Sequence, residues 1–418
     1  MNNRNILINI ASYLLLLMPL LLLTGPFLPD LSLVLICIIF LYISINEKLW
    51  FYFNNWFSYI FFSFCCYLIF SSIISQNIFL SLESSLFYLR FGIFALSVWF
   101  LIDNRKNLVK YFTVILIIVY LFSLLDGFYQ YFFNLNLFNF GSLDTRLSLS
   151  LSNKLYLGGF LVRLYPFLFA LLIYNSFFKK KMIIIPFIIL ILCDLLIYLS
   201  GERTAFALLT LATLLIIFFI KKLKVFRIST LIVSILLMTF VTFNNIEIKN
   251  RNIDKTINQM NLTSEMDFEN IVIFSNHHEG IYLSALKMFR DYPIFGVGPK
   301  MFRELCSEEK YKIDENSCST HPHNTYIQVL AETGLVGLFF IMFFIYFVAK
   351  EILVIFFSSR SKVYQFKTND YQMSLLICFI LTLFPFLPTQ NFFNNWINII
   401  YFLPVGFYLH SFYSIENS

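Results

Sequence analysis

Charge is scarce in this sequence. Only 13% of its 418 residues are Asp, Glu, Lys or Arg, whereas 59% are hydrophobic and 20% aromatic, with 54 phenylalanines. That balance excludes a freely soluble globular protein, because apolar runs long enough to cross a ~30 Å hydrocarbon core recur along the chain. Nothing resembles a nucleic-acid-binding module, so no nucleic-acid partner is expected. There is no internal repeat and no pair of interrupted hydrophobic segments, which argues against a transporter of lipid-linked sugars. Histidine is rare, with five in the chain. His321 and His323 are two apart, unlike the i, i+4 spacing of a helical zinc pair, and no Cys or carboxylate set completes a site, so no metal or cofactor is expected. Arg4 and the apolar run 6–23 have no A-x-A cleavage site after them and read as a retained first span.

What is present is a series of candidate spans at 6–23, 31–45, 56–74, 86–102, 108–132, 155–174, 182–199, 205–220, 228–243, 335–357, 373–387 and 396–410. The expected fold is therefore an all-α polytopic membrane protein with about twelve transmembrane helices. It divides into spans at 1–243, a large polar segment at 244–334 between the ninth and tenth spans, and closing spans at 335–418. Arg4, Lys48, Arg105, Lys106, Lys110, Lys179, Lys180, Lys181, Lys221, Lys222, Lys224, Arg227, Lys350, Arg360, Lys362 and Lys367 fall in alternate loops. By the positive-inside rule that set and both termini are cytoplasmic, and the loops at 26–30, 76–85, 134–154, 200–204, 244–334 and 388–395 face outward.

The outward set holds the chemistry. Residues 321–338, HPHNTYIQVLAETGLVGL, open with two histidines, and Asn324, Gln328 and Glu332 recur at steps of four, one stripe of a helix. Pro322 suits the turn before that helix and Asn324 its N-cap, so His321 and His323 would lie at an end that attracts anions. Upstream, 282–290 reads as an amphipathic helix stopped by Pro293 and followed by the turn Gly296, Val297, Gly298, Pro299. Cys306 and Cys318 lie in an outward, oxidising loop and are expected to form a disulfide instead of remaining two free thiols; the bond would constrain the unfolded segment by about 3 kcal/mol in the chain-entropy model. The other five cysteines lie in apolar runs and act as small hydrophobes. Arg90, Arg163 and Arg203 collect at the outer membrane edge, where they either snorkel to headgroups or meet an anionic partner such as a pyrophosphate. His277 and His278 read equally as a solvated pair and as functional, and Glu279 and Glu332 as solvated charges or bases.

At HPHNTYIQVLAETGLVGL and SGERTAF the sequence resembles the O-antigen ligase and polymerase family. ALKMFRDYPIFGVGPKMFRELC and RLSLSLSNKLYLGGFLVRLYP are similar to further regions of that family, so the resemblance runs over 146–338. It implies a GT-C-like, multi-pass protein of the bacterial inner membrane, active at the periplasmic face. The implied enzyme is a metal-independent glycosyltransferase that takes a glycan from undecaprenyl pyrophosphate. In a ligase the acceptor is a lipid A core sugar, in a polymerase another lipid-linked repeat unit, and in a protein O-oligosaccharyltransferase a protein hydroxyl. The family's span-edge arginine falls on Arg203, and its motif histidine, the implied base, on His321 or His323. Arg163, Arg90 and His278 are the further expected pyrophosphate contacts, His278 standing where many members have arginine. Asn324, Gln328 and Glu332 are expected to support the site.

Overall fold

The computed structural model describes residues 3–138, 146–149, 151–152, 154–179, 182–250, 254, 257, 276–315, 317–358 and 366–416. Lys180, Lys181, Arg360, Lys362 and most of the first part of the expected outer segment lie outside the described residues, as do the side chains of His277 and Lys367. The described residues are helical, without a strand. The helices are α1 (Asn3–Leu21), α2 (Phe27–Glu47), α3 (Trp56–Ile73), α4 (Ile78–Asn104), α5 (Leu108–Phe133), α6 (Leu157–Tyr174), α7 (Ile184–Leu199), α8 (Arg203–Phe219), α9 (Lys224–Asn244), α10 (Asn276–Asp291), α11 (Thr325–Ser358), α12 (Phe366–Thr382) and α13 (Asn395–Glu416), besides helical turns of a few residues. Each expected apolar segment overlaps one of them, although that at 373–387 runs five residues past the end of α12 at Thr382. Among the described residues eight, α1 to α6, α9 and α11, are long and apolar enough to cross a membrane, and α7 and α8 are shorter apolar helices.

At the centre is α6, buried along nearly its whole length and packed by α5, α7, α8 and α12. Apart from Arg163 it is apolar, and because protein rather than lipid covers it on nearly every side it forms the core of the bundle. Around it, α4 packs between α3 and α13. Asparagine caps start two of these helices, with Asn55 Oδ1 accepting from Ser58 N at 2.9 Å and Asn77 Oδ1 accepting from Leu80 N at 3.2 Å.

Two arginines are placed otherwise than the sequence suggests. Because Asn77 caps α4, the stretch 76–85 is mostly helix and not loop, and Arg90 lies about three turns inside α4. There it pairs with Asp30 at 3.0 Å, an internal partner instead of an external anion. Arg227, expected among the loop charges, is fully buried. Its guanidinium forks onto Asp194 of α7 at 2.7 and 3.1 Å and reaches Thr230 at 3.0 Å, while Ser234 donates to the same carboxylate at 2.8 Å. The planar fork matches the carboxylate, and buried charges persist in this setting only when so paired.

Other polar contacts mark the two ends of the bundle. At one end Arg4 meets Glu47 at 2.6 Å and Asn104 at 3.1 Å, and Arg105 reaches the Asn5 carbonyl at 3.3 Å. At the other end of α4, Asn77 donates to Glu304 at 3.0 Å and Lys300 pairs with Glu83 at 3.2 Å. The segment between α10 and α11 is therefore anchored at the end opposite Arg4 and Lys48.

α11 is not continuous. Gly334 has φ 64° and ψ −164°, which separates the polar-striped turns from the apolar length beginning at Leu335. The loop after α10 fills the break. Val297 N and Gly298 N donate to the Ala331 and Glu332 carbonyls at 3.0 and 2.9 Å, and Leu335 N and Val336 N donate to the Pro293 and Ile294 carbonyls at 2.8 and 3.2 Å. Tyr67 donates to the Thr333 carbonyl, and Ser71 to that of Phe295 at 3.1 Å. Every backbone group named here would otherwise lose its partner where water is scarce, at a cost of several kcal/mol each. A Cβ at Gly334 would collide with the Ile294 carbonyl, and one at Gly296 with the Glu332 backbone. Gly334→Ala should therefore melt well below Gly25→Ala in detergent. Both carry a positive φ that disfavours alanine by about 1–3 kcal/mol, but a Cβ at Gly25 meets nothing within 4 Å. Equal melting temperatures would show that the splice contributes little.

Candidate active site

The site is built under a small core of its own. The apolar face of α10, Ile281, Ala285 and Met288, packs on Val297, Met301, Phe302 and Leu305 and on Ala331 of α11. Spacings of four and three residues put that face on one side of the helix. The Cys306 and Cys318 sulfurs are bonded, with their Cα atoms 5.0 Å apart, which fixes the chain immediately before the histidines. Arg303 adds a bond to the Thr320 carbonyl at 3.3 Å.

The histidine turn is clamped from both sides. Asn324 Oδ1 accepts from Tyr326 N at 3.0 Å and Ile327 N at 3.2 Å, so the helix end expected to attract an anion already has these amides occupied by its own cap. Asn324 Nδ2 donates to the Pro385 carbonyl at 2.8 Å, and Thr389 N donates to the His323 carbonyl at 2.7 Å. Gln328 holds Glu332 and Asn391, each at 2.9 Å, and accepts from Phe392 N at 2.9 Å. Glu332 accepts from Phe302 N at 3.3 Å. The stripe of Asn324, Gln328 and Glu332 is thus buried and ties α11 to the loop before α13 and to the α10 layer; it does not line the cavity. His323 has φ 56°, a left-handed conformation uncommon outside glycine that histidine tolerates better than most side chains. Its Nε2 lies 3.0 Å from Ser319 Oγ, and its ring is 4.0 Å from that of His321 and 5.6 Å from that of His278.

The two motif histidines differ. His323 and His278 line a cavity of about 540 Å³, whereas His321 does not. Burial first, then His323 and Arg303, lower the His321 pKa to about 3, against a smaller opposing contribution from the Thr389 backbone. A neutral imidazole that resists protonation is a poor base at neutral pH.

The facing wall carries Arg146, Tyr156, Arg163, Glu202 and Arg203, and Thr389 and Gln390 complete the rim. Arg163 Nε reaches the Tyr401 hydroxyl at 3.2 Å and Nη1 the Gly159 carbonyl at 3.0 Å. Glu202 Oε1 and Oε2 accept from Gly158 N at 2.8 Å and Gly159 N at 3.1 Å, capping α6 from the α7–α8 turn. Partly open to the cavity yet ringed by protein, the Glu202 carboxyl has its pKa raised by burial to about 7, although the Gly158 and Gly159 amides, Arg163 and Arg146 all pull it down. A second, apolar cavity of about 120 Å³, lined by Phe57, Phe61, Phe64, Phe340, Phe344 and Phe402, shares Gln390 with the first. Among the described residues no group of three or more His, Cys, Asp or Glu is placed to hold a metal ion.

Of the residues singled out from sequence, Arg163, Arg203, His278 and His323 converge on the cavity, while Arg90 and His321 stand apart from its lining. Arg146, Tyr156 and Glu202 went unread as site residues. The usable signals were a carboxylate next to Arg203 in SGERTAF and the Gly158–Gly159 pair at the start of a span, where missing side chains open the first backbone amides to a neighbour.

Fold and site together define a polytopic, all-helical membrane protein whose polar side chains converge on one cationic cavity at one end of the bundle. Residues 186–342 match the family model described as O-antigen ligase, so the chain carries a domain of the O-antigen ligase family, a family of glycosyl-transferring membrane enzymes. No curated protein matches the chain. The matched stretch includes Arg203, His278, both motif histidines and the break at Gly334, while Arg146 and Arg163 precede it.

One outcome follows from His321. Its folded pKa of about 3 lies below the ordinary value of 6.5. The unfolded chain binds the extra proton between those values, so the stabilising contribution is complete above about pH 6.5 and is lost as pH falls toward 3. Melting temperature should drop across that window more in the wild type than in His321→Gln. The same drop in both proteins would remove His321 as the cause.

Proposed function

We propose that the protein is an O-antigen ligase-like glycosyltransferase that moves a glycan from undecaprenyl pyrophosphate to a lipid A core sugar at the periplasmic face of the bacterial inner membrane. The observation that carries this reading is the single cavity in which Arg146, Arg163 and Arg203 face His323. Guanidinium groups suit phosphate oxygens through charge and a planar fork. The apolar cavity that meets this one at Gln390 offers a surface for a prenyl chain. His323, neighboured by Ser319 Oγ, takes the proton of the acceptor hydroxyl. The acceptor oxygen then bonds to the anomeric carbon as the carbon–oxygen bond to the pyrophosphate breaks, and the electron pair leaves on a phosphate oxygen beside the arginines.

The topology belongs to the same reading: both termini cytoplasmic, with the segment between α9 and α11 outside. The alternation of basic loops and the anchoring of that segment opposite Arg4 support it. A reporter inserted after Lys310 should be active only in the periplasm, and cytoplasmic activity would reverse the orientation.

Reconstitution with undecaprenyl-pyrophosphate glycan and either lipid A core or a second donor molecule tests the reaction. The ligase reading expects glycan on lipid A core, and chain extension in its place would make the enzyme a polymerase. In that assay His323→Ala should lower turnover by about 10²–10⁴-fold with donor binding largely retained, and His321→Ala should lower it less. Arg203→Ala should abolish transfer and Arg203→Lys impair it, because the ammonium keeps the charge but not the fork. Unchanged transfer in Arg203→Ala at normal expression would return Arg203 to a headgroup-facing role.

A further inference from the structure

Glu202 is an anion on the wall of a cavity that otherwise collects cations. It leaves the turn between α7 and α8, crosses to α6 and accepts from two successive amides, Gly158 N at 2.8 Å and Gly159 N at 3.1 Å. A Cβ at Gly158 would collide with Ser200 Oγ, and one at Gly159 would lie 2.9 Å from Arg163 Nη1 and 3.1 Å from Glu202 Oε2. The glycine pair leaves room at this turn for Ser200, Arg163 and the carboxylate together.

Arg163 and Arg146 act on it directly, and the other titratable or charged groups that line the same cavity are Tyr156 before α6, Arg203 at the start of α8, His278 of α10 and His323 before α11. With the histidines neutral, three arginines and one ionised carboxylate leave a net charge of 3 − 1 = +2. A pyrophosphate substituted at both ends carries two negative charges, and a third appears on the departing phosphate when the bond to sugar breaks.

We propose that Glu202 takes up a proton when a pyrophosphate diester binds beside Arg146 and Arg163, raising the cavity from +2 to +3, the charge that matches the three negative charges of the departing pyrophosphate. The proposal rests on the reading of the cavity as a pyrophosphate site and adds a residue and a proton to it. Glu202 acts here as a positioning residue: ionised, it holds the first turn of α6 and with it Arg163; protonated, it gives the arginines one more uncompensated charge for the anion. Its pKa of about 7 makes the exchange available near neutrality. A phosphate placed nearby raises that value further, because a like charge disfavours the carboxylate. Binding and proton uptake are then linked, and affinity is higher at low pH and falls as pH rises through neutrality.

The test measures binding of a short-chain prenyl-pyrophosphoryl sugar, whose two phosphate charges stay fixed in this range, between about pH 6 and about pH 8. A ligand-induced rise of about one pKa unit at a single group predicts that wild-type affinity weakens about fivefold over that interval. Glu202→Gln, neutral at every pH, should lose that factor. His278→Gln/His323→Gln, which removes the other titrating groups on the wall, should keep it. A flat wild-type profile overturns the proposal without any variant, as does a fivefold slope that survives in Glu202→Gln or disappears in the histidine double variant. Failure of the wild type to bind the probe at any pH would also remove the pyrophosphate reading itself, whereas binding with the wrong slope removes only the role of Glu202.

Discussion

The break in α11 at Gly334 is the constraint on which the site depends. A helix interrupted near the hydrocarbon region exposes carbonyls on one side and amides on the other, and these need partners. The Pro293–Gly298 loop supplies four, from Val297 N, Gly298 N and the Pro293 and Ile294 carbonyls. The chain that answers the break is the chain that leaves α10, so the same hydrogen bonds fix the α10 layer over the bundle. Through Tyr67 and Ser71 of α3 they also attach that layer to the spanning helices. The polar half of α11 is thereby freed from the direction of its apolar half, and its N-terminal end carries the histidine turn to the cavity.

The two walls of the cavity are supported in different ways. The histidine wall is held by covalent and local means: the Cys306–Cys318 bond, the Asn324 cap and the left-handed turn at His323. The arginine wall depends on contacts between helices, with Arg163 held by Tyr401 of α13 and α6 capped by Glu202 from the α7–α8 turn. A shift of α6 or α8 would move cations relative to the histidines. A shift of the loop before α13 would move the backbone at His323, because Thr389 N holds its carbonyl. The cavity is an assembly of four parts of the chain far apart in sequence: segment 146–163, residues 202–207, α10 with its following loop and turn, and the loop before α13.

The buried Asp194–Arg227 pair illustrates the opposite use of charge. Here the guanidinium is matched at once by carboxylate and hydroxyls, which leaves it suited to joining α7 and α9 rather than to binding a ligand. Arg90 with Asp30 is a similar case nearer the surface. In a bundle so poor in charge, an arginine read from sequence is equally a ligand contact or a strut, and the deciding fact is whether a carboxylate from another helix reaches it first.

The sequence by itself determined the class of fold, because runs of apolar residues longer than a soluble core can bury leave few alternatives to spanning helices. It also determined the local features set by short-range chemistry: the Asn324 cap, the stripe through Gln328 and Glu332, the amphipathic face of α10, and the family-like motifs at SGERTAF and HPHNTYIQ. What only the tertiary structure decided was which polar groups meet. The start of α4 at Ile78, and with it the depth of Arg90, came from a cap that apolarity does not reveal. That His323 and not His321 faces the cavity depends on a left-handed backbone and on packing against the Thr389 loop. Arg146 and Glu202 meet on one wall only when α6, α8 and the loop before α6 close on one another, because partnership between charges is a matter of distance in space, and sequence separation does not carry that distance.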